Sequence, residues 1–326
     1  MYDVKFGLFI LPPNVAEGLE AAQQAEALGY HSVCHNDHFY SPLGSPEYPQ
    51  LECFTILTAM GAVTKKIKLV PAVIAHSFRT PPLLAKIATS VDIATQGRFI
   101  CGLGAGWQGP EYDAHDYPFP PIKQRLEELD ETIQILKAMW TQDEPTFSGK
   151  YFKIHHAYNN PRPIQKPHPP IMLGGSGTGL LKIAAREADI LNIIPPTGQN
   201  KDFINDPIAT VKFDMPTLKS RIAQLHQNCH DIGRDPAEIE LGGLAFLGLS
   251  QDKDDPALRK VATRLGFPDY ASAQHAPVAL LGTPDEVKTE LKRRVEETGV
   301  TYYIFGGTTA ETRELFAKEV MPAFTT

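Results

Sequence analysis

The sequence predicts an α/β protein of the (β/α)8 TIM-barrel type, and three observations support this prediction. Short apolar runs alternate with longer amphipathic segments along the whole chain, the pattern of repeated strand–helix units. About eight such units can be counted, which favours a closed barrel over an open doubly wound sheet. A length of 326 residues also suits a single barrel domain. We therefore expect one domain over residues 1–326.

The first four strand–helix units are separated by short connections. Strands are predicted at 4–10, 31–36, 67–74 and 99–103. Asn14 can cap the first helix, which ends before Gly29. Residues 51–63 form the second helix, and the third opens at Thr80-Pro81-Pro82 because proline is favoured in a first helical turn.

Two insertions are predicted in the remaining chain, one after strand four and one after strand seven. The first follows a helix over 126–140 and contains a hairpin at 146–152, turning at Ser148-Gly149, and a proline-rich connection. Strands five to eight are predicted at 171–173, 190–194, 241–249 and 301–305. The second insertion spans 250–280, where a helix over 256–265 could cover the barrel mouth.

Composition and charge argue against several classes of protein. The formal net charge is −7 and the basic residues are scattered, so nucleic-acid binding is not expected. No apolar run reaches the roughly 18 residues needed to cross a bilayer. The four cysteines lack C-x-x-C spacing and no leader peptide is visible, which favours the cytoplasm. His226 and His230 lack a third ligand at matching spacing, so no metal site is predicted.

Strand two ends in a possible proton-transfer pair. In a barrel the active site lies at the carboxyl ends of the strands, and this strand runs into Asn36-Asp37-His38-Phe39. An imidazole titrates near pH ~6.5 and can accept or donate a proton, while a neighbouring carboxylate can orient it. His38 and Asp37 are therefore the candidate catalytic residues, and an ordinary polar turn is the alternative.

Strands three and four end in segments that suit a planar ligand. Pro71 lies inside strand three and removes a hydrogen-bond donor, which predicts an irregular backbone. Strand four runs into Gly102-Leu103-Gly104-Ala105-Gly106-Trp107, where the glycines permit close approach of a ligand. The spacing differs from the G-x-G-x-x-G pattern of dinucleotide sites. A Rossmann-type NAD site is therefore not predicted.

Strand five ends in a run that predicts an anion site. Gly174, Gly175, Ser176, Gly177 and Thr178 lie directly before a helix. Backbone N–H groups, the helix dipole and two hydroxyl groups converge there, as in many phosphate sites. A flexible turn without a ligand is the alternative.

Together these motifs resemble the luciferase-like flavin-dependent oxidoreductases, especially the branch that uses the deazaflavin coenzyme F420. The segments that carry the resemblance are Asn36-Asp37-His38-Phe39, Phe78-Arg79-Thr80-Pro81, Gly97-Arg98-Phe99 with the glycine run after it, Pro161-Arg162-Pro163-Ile164-Gln165, and residues 170–177. The resemblance implies a (β/α)8 barrel, commonly a homodimer, with the flavin or deazaflavin ring against strands three and four.

The resemblance also implies a role for each motif. Ala72 and Val73 fall where the family often has a non-prolyl cis peptide behind the ring. Gly104, Ala105 and Gly106 fall where the ring is approached, and residues 175–178 where the phosphate is held. Asp37 and His38 match the substrate side. The sugar-phosphate dehydrogenases of the family have a glutamate in place of Trp107, so this tryptophan is predicted to line the substrate pocket or simply to pack.

These observations predict an oxidoreductase that transfers a hydride between bound coenzyme F420 and a small organic substrate. The alternatives are an FMN-dependent monooxygenase that uses reduced flavin and dioxygen, and a catalytically silent cofactor-binding member. Coenzyme F420 carries an acidic tail beyond its first phosphate. Binding that tail to an acidic protein requires local cations at the mouth, for which Arg79, Arg162 and Lys182 are candidates.

Overall fold

Parallel strands close into a barrel in the computed structural model, which describes residues 3–41, 45–196 and 206–325. The strands are β1 (Lys5–Phe9), β2 (Ser32–His35), β3 (Lys68–Pro71), β4 (Ile74–Ala75), β5 (Cys101–Gly104), β6 (Phe147–Ser148), β7 (Lys153–Ile154), β8 (Ile171–Gly174), β9 (Ile190–Ile193), β10 (Glu240–Leu249), β11 (Ala279–Gly282) and β12 (Tyr302–Gly306). The hydrogen-bonded order is β3-β2-β1-β12-β10-β9-β8-β5-β4. A parallel bridge between Leu69 of β3 and Phe99, just before β5, closes the barrel. The predicted barrel is confirmed.

Helices surround the barrel and connect successive strands. They are α1 (Val15–Ala27), α2 (Cys53–Val63), α3 (Pro81–Ala94), α4 (Gly109–Ala114), α5 (Ile122–Thr141), α6 (Thr178–Glu187), α7 (Pro207–Lys212), α8 (Met215–Asp231), α9 (Pro256–Arg264), α10 (Tyr270–Gln274), α11 (Pro284–Thr298) and α12 (Ala310–Glu319). As predicted, the Asn14 side chain caps α1, where it accepts a hydrogen bond from the Glu17 N–H. No helix in the described ranges is long and apolar enough to cross a bilayer.

The third barrel strand is broken near its carboxyl end. β3 ends at Pro71, β4 begins at Ile74, and the intervening Ala72–Val73 peptide is cis. The irregular backbone predicted from Pro71 and the cis peptide implied by the family resemblance are both confirmed.

The two predicted insertions are present, with differences in detail. β6 and β7 form the antiparallel hairpin, but its turn lies over 149–152, where the Gly149 N–H bonds the Phe152 carbonyl, instead of at Ser148-Gly149. The second insertion contains α9, α10 and β11. β11 was not predicted. It exists because β10 is ten residues long and its last four residues pair in parallel with β11.

Side chains from the strands and their ends fill the barrel interior below the carboxyl ends. The cluster comprises Cys34, Val70, Ile100, Met172, Ile190, Tyr302 and Ile304. Phe9, Ala72 and Val73 pack on it and also line the cavity above. The barrel is therefore closed from below, and a ligand can enter from the carboxyl end.

Arg98 holds α2, α3 and the third barrel strand together. Its guanidinium group donates to the carbonyls of Gly61, Thr64, Ile67 and Thr95 and to the Thr64 hydroxyl, over 2.6–3.1 Å. Arg98 is only 8% exposed, so these carbonyls have little access to water. The Gly97-Arg98-Phe99 motif thus has a structural explanation.

Replacing Arg98 by methionine is expected to lower the free energy of unfolding by about 3 kcal/mol or more, because several buried carbonyls lose their donors. Chemical denaturation followed by circular dichroism measures this change. Arg186→Met is the matched control, since Arg186 is more exposed and pairs with Asp130 on the surface. Equal stability of the two variants would contradict the structural role.

Candidate functional site

A cavity of about 520 Å³ opens at the carboxyl ends of the barrel strands. The predicted site residues that line it are Asp37, His38, Ala72, Val73, Gly104, Ala105, Gly106, Trp107, Gly174, Gly175, Ser176 and Gly177. Thr178 does not line it and is the first residue of α6. Four segments chosen from separate strand ends therefore converge on one cavity.

The His38 imidazole is held by a buried carboxylate. His38 Nδ1 lies 2.7 Å from Glu111 Oε2, and the Phe39 N–H donates to the other oxygen of Glu111. Glu111 has no exposed surface. It comes from α4, which follows the glycine turn after β5. Both oxygens of this carboxylate thus fix the loop that carries His38.

Asp37 has a different partner from the one predicted. We expected Asp37 to orient His38, but its two oxygens pair with the Arg79 guanidinium at 2.7 and 2.9 Å. One oxygen also accepts a hydrogen bond from the Ala75 N–H. Burial raises the pKa of the Asp37 carboxyl, whereas Arg79 acts in the opposite direction. Asp37 therefore braces the strand-two loop against Arg79, and Glu111 orients the imidazole.

Trp107 packs against His38 at the cavity wall. The two rings meet edge to face with their centroids 5.5 Å apart. Trp107 also lines the cavity. His38 is thus held by a carboxylate on one side and an indole on another, which limits its rotation.

Val73 lies between two glycines of the cavity wall. A Cβ atom on Gly104 would come within 2.6 Å of one Val73 methyl carbon, and a Cβ on Gly174 within 2.9 Å of the other. The main reason for glycine at positions 104 and 174 is therefore the close packing on Val73. Gly106 has a φ of +71°, and its carbonyl accepts a hydrogen bond from Arg125 at 2.6 Å. The turn after β5 is fixed at this point.

The turn after β8 has the features of an anion site. Ser176 Oγ and Asn192 Oδ1 both line the cavity, are buried, and have no hydrogen-bond partner within the described chain. A Cβ on Gly177 would meet no atom within 4 Å, so open space lies in front of the α6 N-terminus. Of the two, the Ser176 hydroxyl can donate to a phosphate oxygen beside the helix N-terminus, whereas the Asn192 amide oxygen can only accept and suits a ligand hydroxyl group. The residues present therefore fit the phosphate of a flavin or deazaflavin.

The basic residue that lines the cavity is not one of the three cations considered from the sequence. Arg79 pairs with Asp37 and Glu52, Arg162 pairs with Asp143, and neither lines the cavity. Lys182 is exposed on α6 and is also outside the lining. Arg264 lines it instead. None of the three candidate cations therefore lines the cavity, and both arginines are paired with carboxylates.

The family assignment follows from a comparison with known proteins. The family model of the luciferase-like monooxygenases matches residues 4–302. The chain belongs to this family. Members named among its relatives are oxidoreductases and monooxygenases, so this luciferase-like protein is an enzyme.

Two curated relatives of this luciferase-like enzyme differ in the cofactor that their names state. An FMNH2-dependent dimethylsulfone monooxygenase of Pseudomonas putida is 30% identical over 203 residues, 57% of this chain and 54% of the relative. An F420-dependent glucose-6-phosphate dehydrogenase of Kineococcus radiotolerans is 26% identical over 275 residues, 82% of this chain and 75% of the relative. The chain thus spans only about half the length of the first. Both cofactor types occur among its relatives.

A solved structure shares the whole fold of this luciferase-like chain. The coenzyme F420 dependent tetrahydromethanopterin reductase of Methanopyrus kandleri superposes with a TM-score of 0.78 over 99% of this chain and 100% of its own. The sequence identity is 20%, so the likeness concerns the fold.

Proposed function

We propose that the protein transfers a hydride between bound coenzyme F420 and a small organic substrate, with His38 as proton donor or acceptor. The observation that carries the proposal is the His38–Glu111 pair at the wall of a cavity. The same cavity also contains the candidate phosphate site at 174–177. A bound deazaflavin would supply the centre that gives or takes the hydride. The protein supplies the proton and the orientation of the ligands.

His38 is suited to move a proton to or from a substrate. An ionised carboxylate can only accept hydrogen bonds, so the Nδ1 atom that contacts Glu111 carries a proton. In the neutral imidazole this leaves the lone pair on Nε2, which can take a proton from an alcohol. In the protonated imidazole, Nε2 can donate one to a carbonyl oxygen.

The glycine turns and the orphaned polar atoms are proposed to hold the cofactor. Ala72, Val73, Gly104, Ala105 and Gly106 form the wall against which a ring would pack. In the same cavity, Ser176 has an unused hydroxyl that can donate to a phosphate, and Asn192 has an unused amide oxygen that can accept from a ligand hydroxyl. Together these groups suit a ligand that has a planar ring, hydroxyl groups and a phosphate.

Coenzyme F420 is expected to bind more tightly than FMN. Both carry a ring, a ribityl chain and a first phosphate, so the site at 174–177 cannot distinguish them. The F420-dependent relative matches 82% of the chain and the FMNH2-dependent one 57%, which supports the deazaflavin. Titrations of purified apoprotein with each cofactor, followed by ring fluorescence, measure the two dissociation constants.

The FMN-dependent monooxygenase remains a second candidate because the relative with that activity has the higher identity, 30%. Equal or tighter binding of FMN, with oxygen-dependent substrate oxidation when a flavin reductase is supplied, would favour it. Absence of binding to both cofactors would contradict both candidates.

A further inference from the structure

The cavity contains one cation without a partner among the described residues. Its acidic lining residues are Asp37 and Glu111, which contact Arg79 and His38 respectively. Among the described lining residues, Arg264 is the only arginine or lysine. No hydrogen bond or ion pair joins its guanidinium to the described parts of the chain. The positive charge at this position is therefore available to a ligand.

Arg264 is presented by a helix that is anchored at the barrel mouth. It is the last residue of α9, in which Leu258 and Ala262 are buried. A Cβ on Gly248 would lie 3.5 Å from Leu258 and 3.6 Å from Val261, so α9 packs beside the carboxyl half of β10. The side chain of Leu265, directly after the helix, is also buried. The position of the arginine is thus set by buried packing on both sides.

We propose that Arg264 binds an anionic group, a carboxylate or a phosphate, on a ligand that extends from the cavity towards the mouth. The inference rests on the proposed function, since that ligand is expected to be the acidic tail of the cofactor. The first phosphate is proposed to bind at residues 174–177, on the turn before α6, whereas Arg264 lies on α9, so we assign Arg264 to a second anionic group. Arg264 would then favour the binding of a long acidic cofactor over the binding of FMN.

The test compares wild type with Arg264→Gln and with the control Lys260→Gln. Lys260 lies one turn earlier on α9 and does not line the cavity, so its replacement removes the same charge from the same helix. Each protein is titrated with riboflavin, FMN and coenzyme F420 at two salt concentrations. Each is also titrated, with cofactor bound, with hexanoate and 1-hexanol, which have equal chain length and different charge.

The expected result is about a 10-fold rise in the dissociation constant of coenzyme F420 in Arg264→Gln, with riboflavin, FMN and the control variant unchanged. The salt dependence of F420 binding should also weaken in this variant. If Arg264→Gln loses affinity for hexanoate alone, with its affinity for hexanol and the cofactors unchanged, the anion site is supported and its ligand is the substrate. Unchanged affinity for every anion would overturn the inference. Failure of wild type to bind any cofactor would instead contradict the proposed function.

Discussion

Replacing His38 by alanine is expected to lower turnover about 100-fold or more while cofactor affinity stays within several-fold. The imidazole would move the proton, whereas the ring and phosphate sites lie on other strand ends. The rate is measured by the absorbance of the cofactor during a single turnover, with the best substrate found among small alcohols and ketones. Cofactor titration by ring fluorescence provides the binding constant for the same variant.

Glu111→Gln is the matched control for this experiment. Glutamine has a single acceptor oxygen, so it can keep only one of the hydrogen bonds from His38 and Phe39, and its NH2 group faces the other N–H. We therefore expect the imidazole to be held less firmly and the rate to fall, but by less than in His38→Ala, because the proton-transferring group is still present. If His38→Ala turns over at the wild-type rate, His38 is only part of the cavity wall.

Replacing Gly177 by valine is expected to weaken cofactor binding by at least about 10-fold with the fold unchanged, because the added methyl groups occupy the space proposed for the phosphate. Gly177 has a φ of −67°, and a Cβ there meets no protein atom within 4 Å. The backbone and its neighbours can therefore accept a side chain. Fluorescence titration measures affinity, and circular dichroism with thermal denaturation checks the fold.

Thr178→Val is the control, since Thr178 is adjacent but outside the cavity lining and valine has a similar volume. Gly175 is a less suitable position. Its φ is +142°, and a Cβ there would collide with Leu180, so a substitution would disturb the turn itself. If Gly177→Val binds the cofactor with wild-type affinity and has a normal circular dichroism spectrum, the phosphate does not bind at this turn.

The parts of the site that could be predicted lie directly after strands. His38 and the glycine runs follow recognisable strand ends, and the carboxyl ends of a parallel barrel necessarily meet at one face. Glu111 could not be assigned in this way because it approaches His38 from 73 residues further along the chain. The sequence provided Asp37 as an adjacent carboxylate, but adjacency in the chain does not give a shared hydrogen bond.

Arg264 and β11 were missed for a related reason. Both belong to the second insertion, whose path depends on packing against β10 rather than on a repeated strand–helix pattern. A four-residue apolar run such as Ala279–Gly282 has no length or periodicity that separates it from a loop or a short helix. Tertiary pairing with an unusually long strand decides its structure.

Gly104 and Gly174 pack on the two methyl groups of Val73, so the residues that can be accommodated at these three positions depend on one another. A larger residue at either glycine would require a smaller one at 73, because the space is already filled to van der Waals contact. Mutant libraries intended to reshape this wall of the cavity should therefore vary the three codons together. One-at-a-time scans of this wall would record mainly packing defects and would miss the compensated combinations.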